Sequence, residues 1–167
     1  PHHSRHSFPT RRSSDLLVVS VLSVLLSLYA LRQATTKNTS DMYLFFISQY
    51  AKEDMKLALR KLKDIKRGVY RLEQWESDMK NNLPKAFEYD EARRLVKYFY
   101  YTLAYMKLEK LIEARFVRLI CLKKGAWLYL DTVEAMEKFF DSGYDKKPYA
   151  VIRDVCENLR KEGCCPP

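Results

Sequence analysis

Four cysteines and two groups of carboxylates are the side chains through which this sequence could do chemistry. A zinc site built from cysteines needs its ligands in close pairs, such as C-x-x-C. The cysteines are Cys121, Cys156, Cys164 and Cys165, and they form no such pairs. Buried thiols at the first two positions and ordinary thiols in the tail are the simpler interpretation. We therefore expect neither a bound metal nor a cofactor.

Carboxylates can act as general acids or bases, and two groups of them stand out. Glu88, Asp90 and Glu91 precede an apolar helical pattern, where Asp90 would make a good helix N-cap. Asp131 and Glu134 lie about one helical turn apart and are expected to face water. The glycines are isolated from one another and each suits a helix end, so the sequence has no glycine-rich phosphate loop. These patterns indicate a protein that is not an enzyme.

One row of basic residues recurs at helical steps and would share a single helix face opposite an apolar stripe. The row consists of Lys52, Lys56, Arg60, Lys63 and Arg67. Such a face can rest against anionic lipid, where each basic side chain contributes about 1 kcal/mol close to the surface. An ordinary solvated face, partly paired with Glu53 and Asp64, is the alternative.

An uncharged apolar run from Leu16 to Leu31 would place that basic row near a membrane. A membrane span needs about 20 residues, so the run predicts a transmembrane anchor over residues 16–36, truncated at its start. A cleaved signal peptide is one alternative, although no small-residue cleavage site follows the run; a buried core helix is another. Basic residues beyond the run, beginning with Arg32 and Lys37, favour a cytoplasmic body. We predict a single-pass membrane protein whose C-terminal domain is cytoplasmic.

The residues before the run, 1–15, are expected to contribute nothing to the fold. Ser7 to Leu16 back-translates in one reading frame to TCT TTC CCT ACA CGA CGC TCT TCC GAT CT, which resembles a common sequencing adapter read as coding DNA. We interpret residues 1–15 as an assembly artefact; a basic disordered leader is the alternative. All three histidines lie in this segment, so histidine chemistry is not expected in the body.

The body, residues 40–162, has helical periodicity throughout, followed by a tail at 163–167. Its first stripe predicts one continuous helix from Asp41 to a glycine C-cap at Gly68, and Gly125 is expected to close a later helix. One shared core is expected from the stripes, including Leu44, Met55, Leu62, Phe99, Leu103, Phe116 and Phe140. The predicted fold class is all-α: a single transmembrane helix followed by a small bundle of about five helices.

Short segments of the body carry a family resemblance: Met42–Phe46, Asp54–Leu62, Asp90–Phe99, Lys110–Ile112 and Trp127. Together they resemble an uncharacterised family of small, membrane-anchored bacterial helical proteins, a domain of unknown function. The residues that match are mostly packing positions. The closing helix of this chain contains fewer aromatic residues than the closing helix of the family. The family has no established activity, so the resemblance implies the same architecture and assigns no catalytic residue.

Charge and aromatic content leave two classes of function open. The net charge is +9 and aromatic residues make up 13% of the chain, and proteins that bind single-stranded nucleic acid combine basic grooves with exposed aromatics. Most aromatics here fall on apolar stripes, so a basic nucleic-acid-binding domain tethered to the membrane is the alternative. We expect a membrane-anchored cytoplasmic helical interaction or regulatory module, which contacts lipid through its anchor and binds an unknown protein partner.

Overall fold

The computed structural model describes the backbone of residues 11–141 and 143–164, with side chains except those of 11–21, 32, 34–36 and 38. Its regular secondary structure over these residues is helical throughout, which confirms the all-α prediction. The chain divides into two compact units, one ending at Ser40 and one beginning at Asp41. The first helix, α1 (Arg11–Ala51), contributes residues to both units.

In the first unit, α1 exposes large apolar side chains around most of its axis, and Ser23 and Ser27 share the remaining face. The large apolar side chains between Leu22 and Leu31 are 54% to 68% exposed. Within the described residues, no helix combines the length and the apolarity of a membrane span. The predicted transmembrane helix is therefore not supported there and stays a prediction. Leu16 to Val21 of that prediction lie outside the described side chains, and residues 1–10 of the predicted artefact lie outside the described backbone.

The second unit begins within α1 and continues into α2 (Glu53–Lys66) after a break at Lys52. The prediction that one continuous helix begins at Asp41 and runs to Gly68 is therefore wrong, because α1 already includes Asp41 and ends at Ala51. Lys52 has an extended backbone with ψ of 147°, which interrupts the helical path between α1 and α2. Gly68 ends α2 as predicted: its φ is +73°, and the next N–H, of Val69, donates to the Asp64 carbonyl at 2.9 Å.

The remaining helices pack around one long central helix. They are α3 (Leu72–Lys80), α4 (Pro84–Leu108), α5 (Ala114–Cys121), α6 (Lys124–Leu128), a π-helical turn (Tyr129–Val133), α7 (Glu134–Phe140) and α8 (Lys147–Lys161). Helix α4 is the central one, because it contacts α2, α3, α5, the π-helical turn and α8. Pro84 occupies its first turn, where proline's missing N–H costs nothing. The helix thus begins before Asp90, and the prediction that Asp90 caps it is wrong.

The predicted core is partly correct. Met55, Leu62, Phe99 and Leu103 are buried, whereas Phe116 is only partly buried. Two predicted members face solvent, since Leu44 is 61% and Phe140 47% exposed. Leu44 lies before the break at Lys52, so it does not share a face with Met55. The two predicted buried thiols, Cys121 and Cys156, are buried; Cys164 is exposed and Cys165 lies outside the described residues.

Gly125 does not end a helix as predicted, because it lies buried in the first turn of α6. Its N–H donates to the Tyr50 hydroxyl at 3.2 Å. A Cβ at this position would lie 2.7 Å from the Tyr100 hydroxyl oxygen and 2.9 Å from that of Tyr50. Glycine is therefore required here by the close approach of two tyrosines.

Replacing Gly125 with alanine should destabilise the second unit by about 1–3 kcal/mol, because the added methyl group overpacks a filled site. The double variant Gly125→Ala with Tyr100→Phe removes the nearest clashing atom and should recover part of that loss. Urea unfolding followed by far-UV circular dichroism measures both. If Gly125→Ala unfolds at the parent midpoint, the close approach of the tyrosines is not a constraint.

Candidate functional site

A groove of about 380 Å³ opens on the surface of the second unit, between the end of α1, the start of α2 and α4. Its floor is formed by buried aromatic and sulfur-containing side chains, and its rim by exposed ones. The lining residues are Phe45, Phe46, Gln49, Lys52, Asp54, Met55, Leu95, Tyr98, Phe99 and Thr102. The groove exists because the helix breaks at Lys52, which separates α1 from α2 above α4.

The rim of the groove carries apolar side chains that the fold does not cover. Tyr98 is 75% exposed, Phe45 55% and Leu95 38%. Below them, Phe46 packs edge-on against Phe99 with ring centroids 5.4 Å apart, so the floor is firmly packed. Contiguous exposed apolar surface next to a formed groove is typical of sites that bind other molecules.

A shallower recess of about 230 Å³ continues the groove along α2 and α4. Asp54 and Leu95 line both the groove and the recess. The recess also holds Glu88, Glu91 and Lys61, and the Lys61 amine contacts the Glu88 carboxylate at 2.9 Å. The continuous surface is therefore apolar at one end and acidic at the other.

The sequence drew attention to only part of this surface. Tyr98 departs from the apolar stripe of its helix, which is the signal that it faces outward. Phe45 gave no separate signal, because it is next to the stripe position Leu44. Leu95 lies on the apolar stripe of its own helix, which predicts burial, yet it is 38% exposed. The groove itself depends on the break at Lys52, which the sequence pattern did not predict.

All five residues of the predicted basic row are exposed. Lys56 and Arg60 lie 3.4 Å and 3.8 Å from carboxylate oxygens of Glu53, as the solvated-face alternative expects. Lys63 and Arg67 have no acidic partner within the described part of the chain, and Lys52 lines the groove. Contact of this row with lipid stays a prediction.

The basic row should bind anionic vesicles when residues 41–167, which carry their own core, are tested alone. Each basic side chain contributes about 1 kcal/mol near such a surface, within a Debye length of about 8–10 Å. Cosedimentation should require anionic lipid, weaken with salt, and disappear when all five residues are changed to glutamine. A control removes the same charge from other exposed positions: Lys123, Lys124, Lys138, Arg160 and Lys161. Equal loss in both variants, or equal binding to neutral vesicles, would favour the solvated-face alternative.

A buried group of charges joins α4 to α7. The Arg93 side chain is 8% exposed and contacts Asp90 at 2.7 Å; it also pairs with Glu137 on α7, as does Lys97. The pKa of Lys97 is lowered, first by burial and then by the neighbouring Arg93 charge. Asp90 also pairs with Arg94. Each buried carboxylate thus has cationic partners, and the group connects two helices.

Glu134 is not exposed to water as predicted. It is 7% exposed, accepts a hydrogen bond from the Tyr144 hydroxyl at 2.6 Å, and pairs with Arg153 on α8. Burial, followed by this hydrogen bond, raises the pKa of Tyr144 to about 12. Asp131 is exposed and lies 2.6 Å from the Lys66 amine. Glu134 therefore connects α7 to α8, whereas Asp131 connects the π-helical turn to α2.

In the described residues, no group of three cysteine, histidine or carboxylate side chains converges as a metal site would. No known protein family, curated protein or solved structure matches the chain. The family resemblance of the sequence, the absence of enzymatic activity and the absence of cofactors stay predictions.

Proposed function

We propose that this protein is a membrane-anchored helical interaction module, whose second unit binds a protein partner through the groove beside Tyr98. The observation that carries the proposal is the exposed apolar rim over a firmly packed floor. Phe45 and Tyr98 are both more than half exposed. Covering them with a partner's apolar side chains would remove this surface from water, at about 25 cal/mol for each Å² buried.

The anchor part of the proposal rests on the apolar surface of α1. A helix with large apolar side chains exposed around most of its axis is best accommodated in an apolar environment, such as a bilayer or a protein core. Within α1, the Ser27 hydroxyl donates to the Ser23 carbonyl at 2.8 Å. That hydrogen bond lets the serine side chain enter an apolar environment with its donor satisfied. Arg32 and Lys37 follow the apolar run and favour a cytoplasmic second unit.

The interaction is tested by a photo-reactive phenylalanine analogue placed at position 98 in the full chain, in cells. We expect a discrete adduct with another protein that disappears when Leu95→Glu is added. The same analogue at Leu108, which is 45% exposed at the far end of α4, is the matched control. No adduct at position 98, or the same adducts at both positions, would contradict the proposal.

The anchor is tested separately by alkaline extraction of membranes. The full chain should stay with the membrane pellet, because bilayer insertion does not depend on charge pairing. The variant Leu25→Lys with Leu26→Lys should be extracted, since charges at the middle of a span cost about 2.5–3.5 kcal/mol each. A parent chain that extracts fully at alkaline pH would rule out the anchor and leave the groove unaffected.

A further inference from the structure

The groove and the recess form one continuous binding surface with a charge gradient, and this gradient restricts its partner. The residues of α4 that line it, among them Glu88, Glu91, Leu95 and Tyr98, recur at steps of three and four. They therefore lie on one face of α4. From Glu88 to Thr102 this face extends about 21 Å, at 1.5 Å per residue. That is the length of a helical segment of about 14 residues.

The two ends of the surface differ in chemistry. At one end, Phe45, Leu95 and Tyr98 present exposed apolar area. At the other end, Lys61 offsets Glu88 at 2.9 Å, whereas Glu91 has no cationic partner among the described residues. Asp54, which lines both the groove and the recess, has none there either. A chain with a net charge of +9 thus keeps a local acidic surface beside its apolar groove.

Resting on the proposed function, we propose that the occupant is an amphipathic helical segment of another protein, apolar at one end and basic at the other. Its bulky apolar side chains fill the groove over Leu95 and Tyr98. Its Lys or Arg side chains reach Glu91, which lies one helical turn from Leu95 and two from Tyr98 along the same face, and Asp54, which lines both the groove and the recess. Charge complementarity fixes the direction in which the segment lies, because the reversed segment would place its cations beside Lys52 and leave Glu91 unpaired.

The test uses the full chain in neutral-lipid nanodiscs and two fluorescent helical peptides of about 14 residues. Both peptides have leucines and one photo-reactive residue on one face at one end. The first has two arginines on that face at the other end, and the second has two glutamates there. We expect the arginine peptide to bind about tenfold more tightly, a difference of about 1.4 kcal/mol that two exposed charge pairs can supply. Its photo-crosslinks should map to the groove.

Two variants separate the charge from the apolar contact. Asp54→Asn with Glu91→Gln should remove the preference for the arginine peptide, whereas Leu95→Glu should abolish groove crosslinks of both peptides. Glu109→Gln, an exposed change beyond the end of α4, is the control and should change neither.

Each alternative outcome overturns a different statement. Equal affinity of the two peptides, with crosslinks in the groove, overturns the basic partner and leaves the proposed interaction site standing. If neither peptide crosslinks to the groove, both the basic partner and the proposed interaction site are overturned. Adducts between two copies of the chain through a photo-reactive residue at position 98, unaffected by the arginine peptide, would show that the occupant is a second copy.

Discussion

The Phe99→Ala variant should lose about 3–5 kcal/mol of folding free energy, the range for truncating a buried phenylalanine to alanine. Phe99 is 5% exposed and its ring lies 5.4 Å from that of Phe46, 5.8 Å from Tyr50 and 5.0 Å from Tyr100. It therefore joins the end of α1 to α4 beneath the groove. Domains of this size are stable by about 5–15 kcal/mol, so the variant should melt more than about 10 °C below the parent.

Phe140→Ala is the matched control, because the sequence pattern assigned both phenylalanines to the core. Phe140 is 47% exposed. Its ring makes edge contacts with Phe139 and Trp75, at 5.1 Å and 5.7 Å, and the Arg93 guanidinium lies 4.6 Å from it. Its truncation should cost less than half as much as that of Phe99. Thermal melts of both variants decide the matter. If the two variants lose equal folding free energy, the helical stripe in the sequence describes the core better than the observed burial does.

The helical stripes predicted the fold class, because a period of three to four residues specifies a helix regardless of its partners. They also predicted the glycine C-cap at Gly68, which depends only on local backbone geometry. They failed at Lys52, where nothing in the local sequence disfavours a helix. Beyond the break, α2 packs against α4, which is distant in the sequence, and Met55 in the first turn of α2 is buried. The groove follows from that break, so it could not be predicted either.

Long-range contacts also explain the other differences between sequence and structure. Gly125 has the local sequence of a helix end, with two lysines before it, but its role is set by Tyr50 and Tyr100 from other helices. Asp90 likewise has the local pattern of an N-cap. Its burial against Arg93, and the pairing of Arg93 with Glu137, depend on the packing of α7 against α4. Local patterns carry no information about these partners, which lie 25 to 75 residues away in the sequence.

Glu137→Ala should be the most damaging single change to the buried charges, because it leaves two cations without their carboxylate. Removing one partner of a buried ion pair typically costs about 3–5 kcal/mol, and here we expect about 3 kcal/mol. The loss is at the low end of that range for two reasons. Arg93 retains its ion pair with the Asp90 carboxylate at 2.7 Å, and the Lys97 side chain is one-third exposed to solvent. Urea unfolding of the full chain and its variants measures the change.

Two controls test whether the stranded charges are the cause. Glu113→Ala removes a carboxylate that is paired with Arg115 at 2.7 Å on the surface, and should cost less than about 1 kcal/mol. In the double variant Glu137→Ala with Lys97→Ala, one cation is no longer stranded, so the loss should be smaller than the sum of the two single losses. Strict additivity would mean that Glu137 and Lys97 do not interact. The stabilisation by Glu137 would then come from Arg93 and from packing alone.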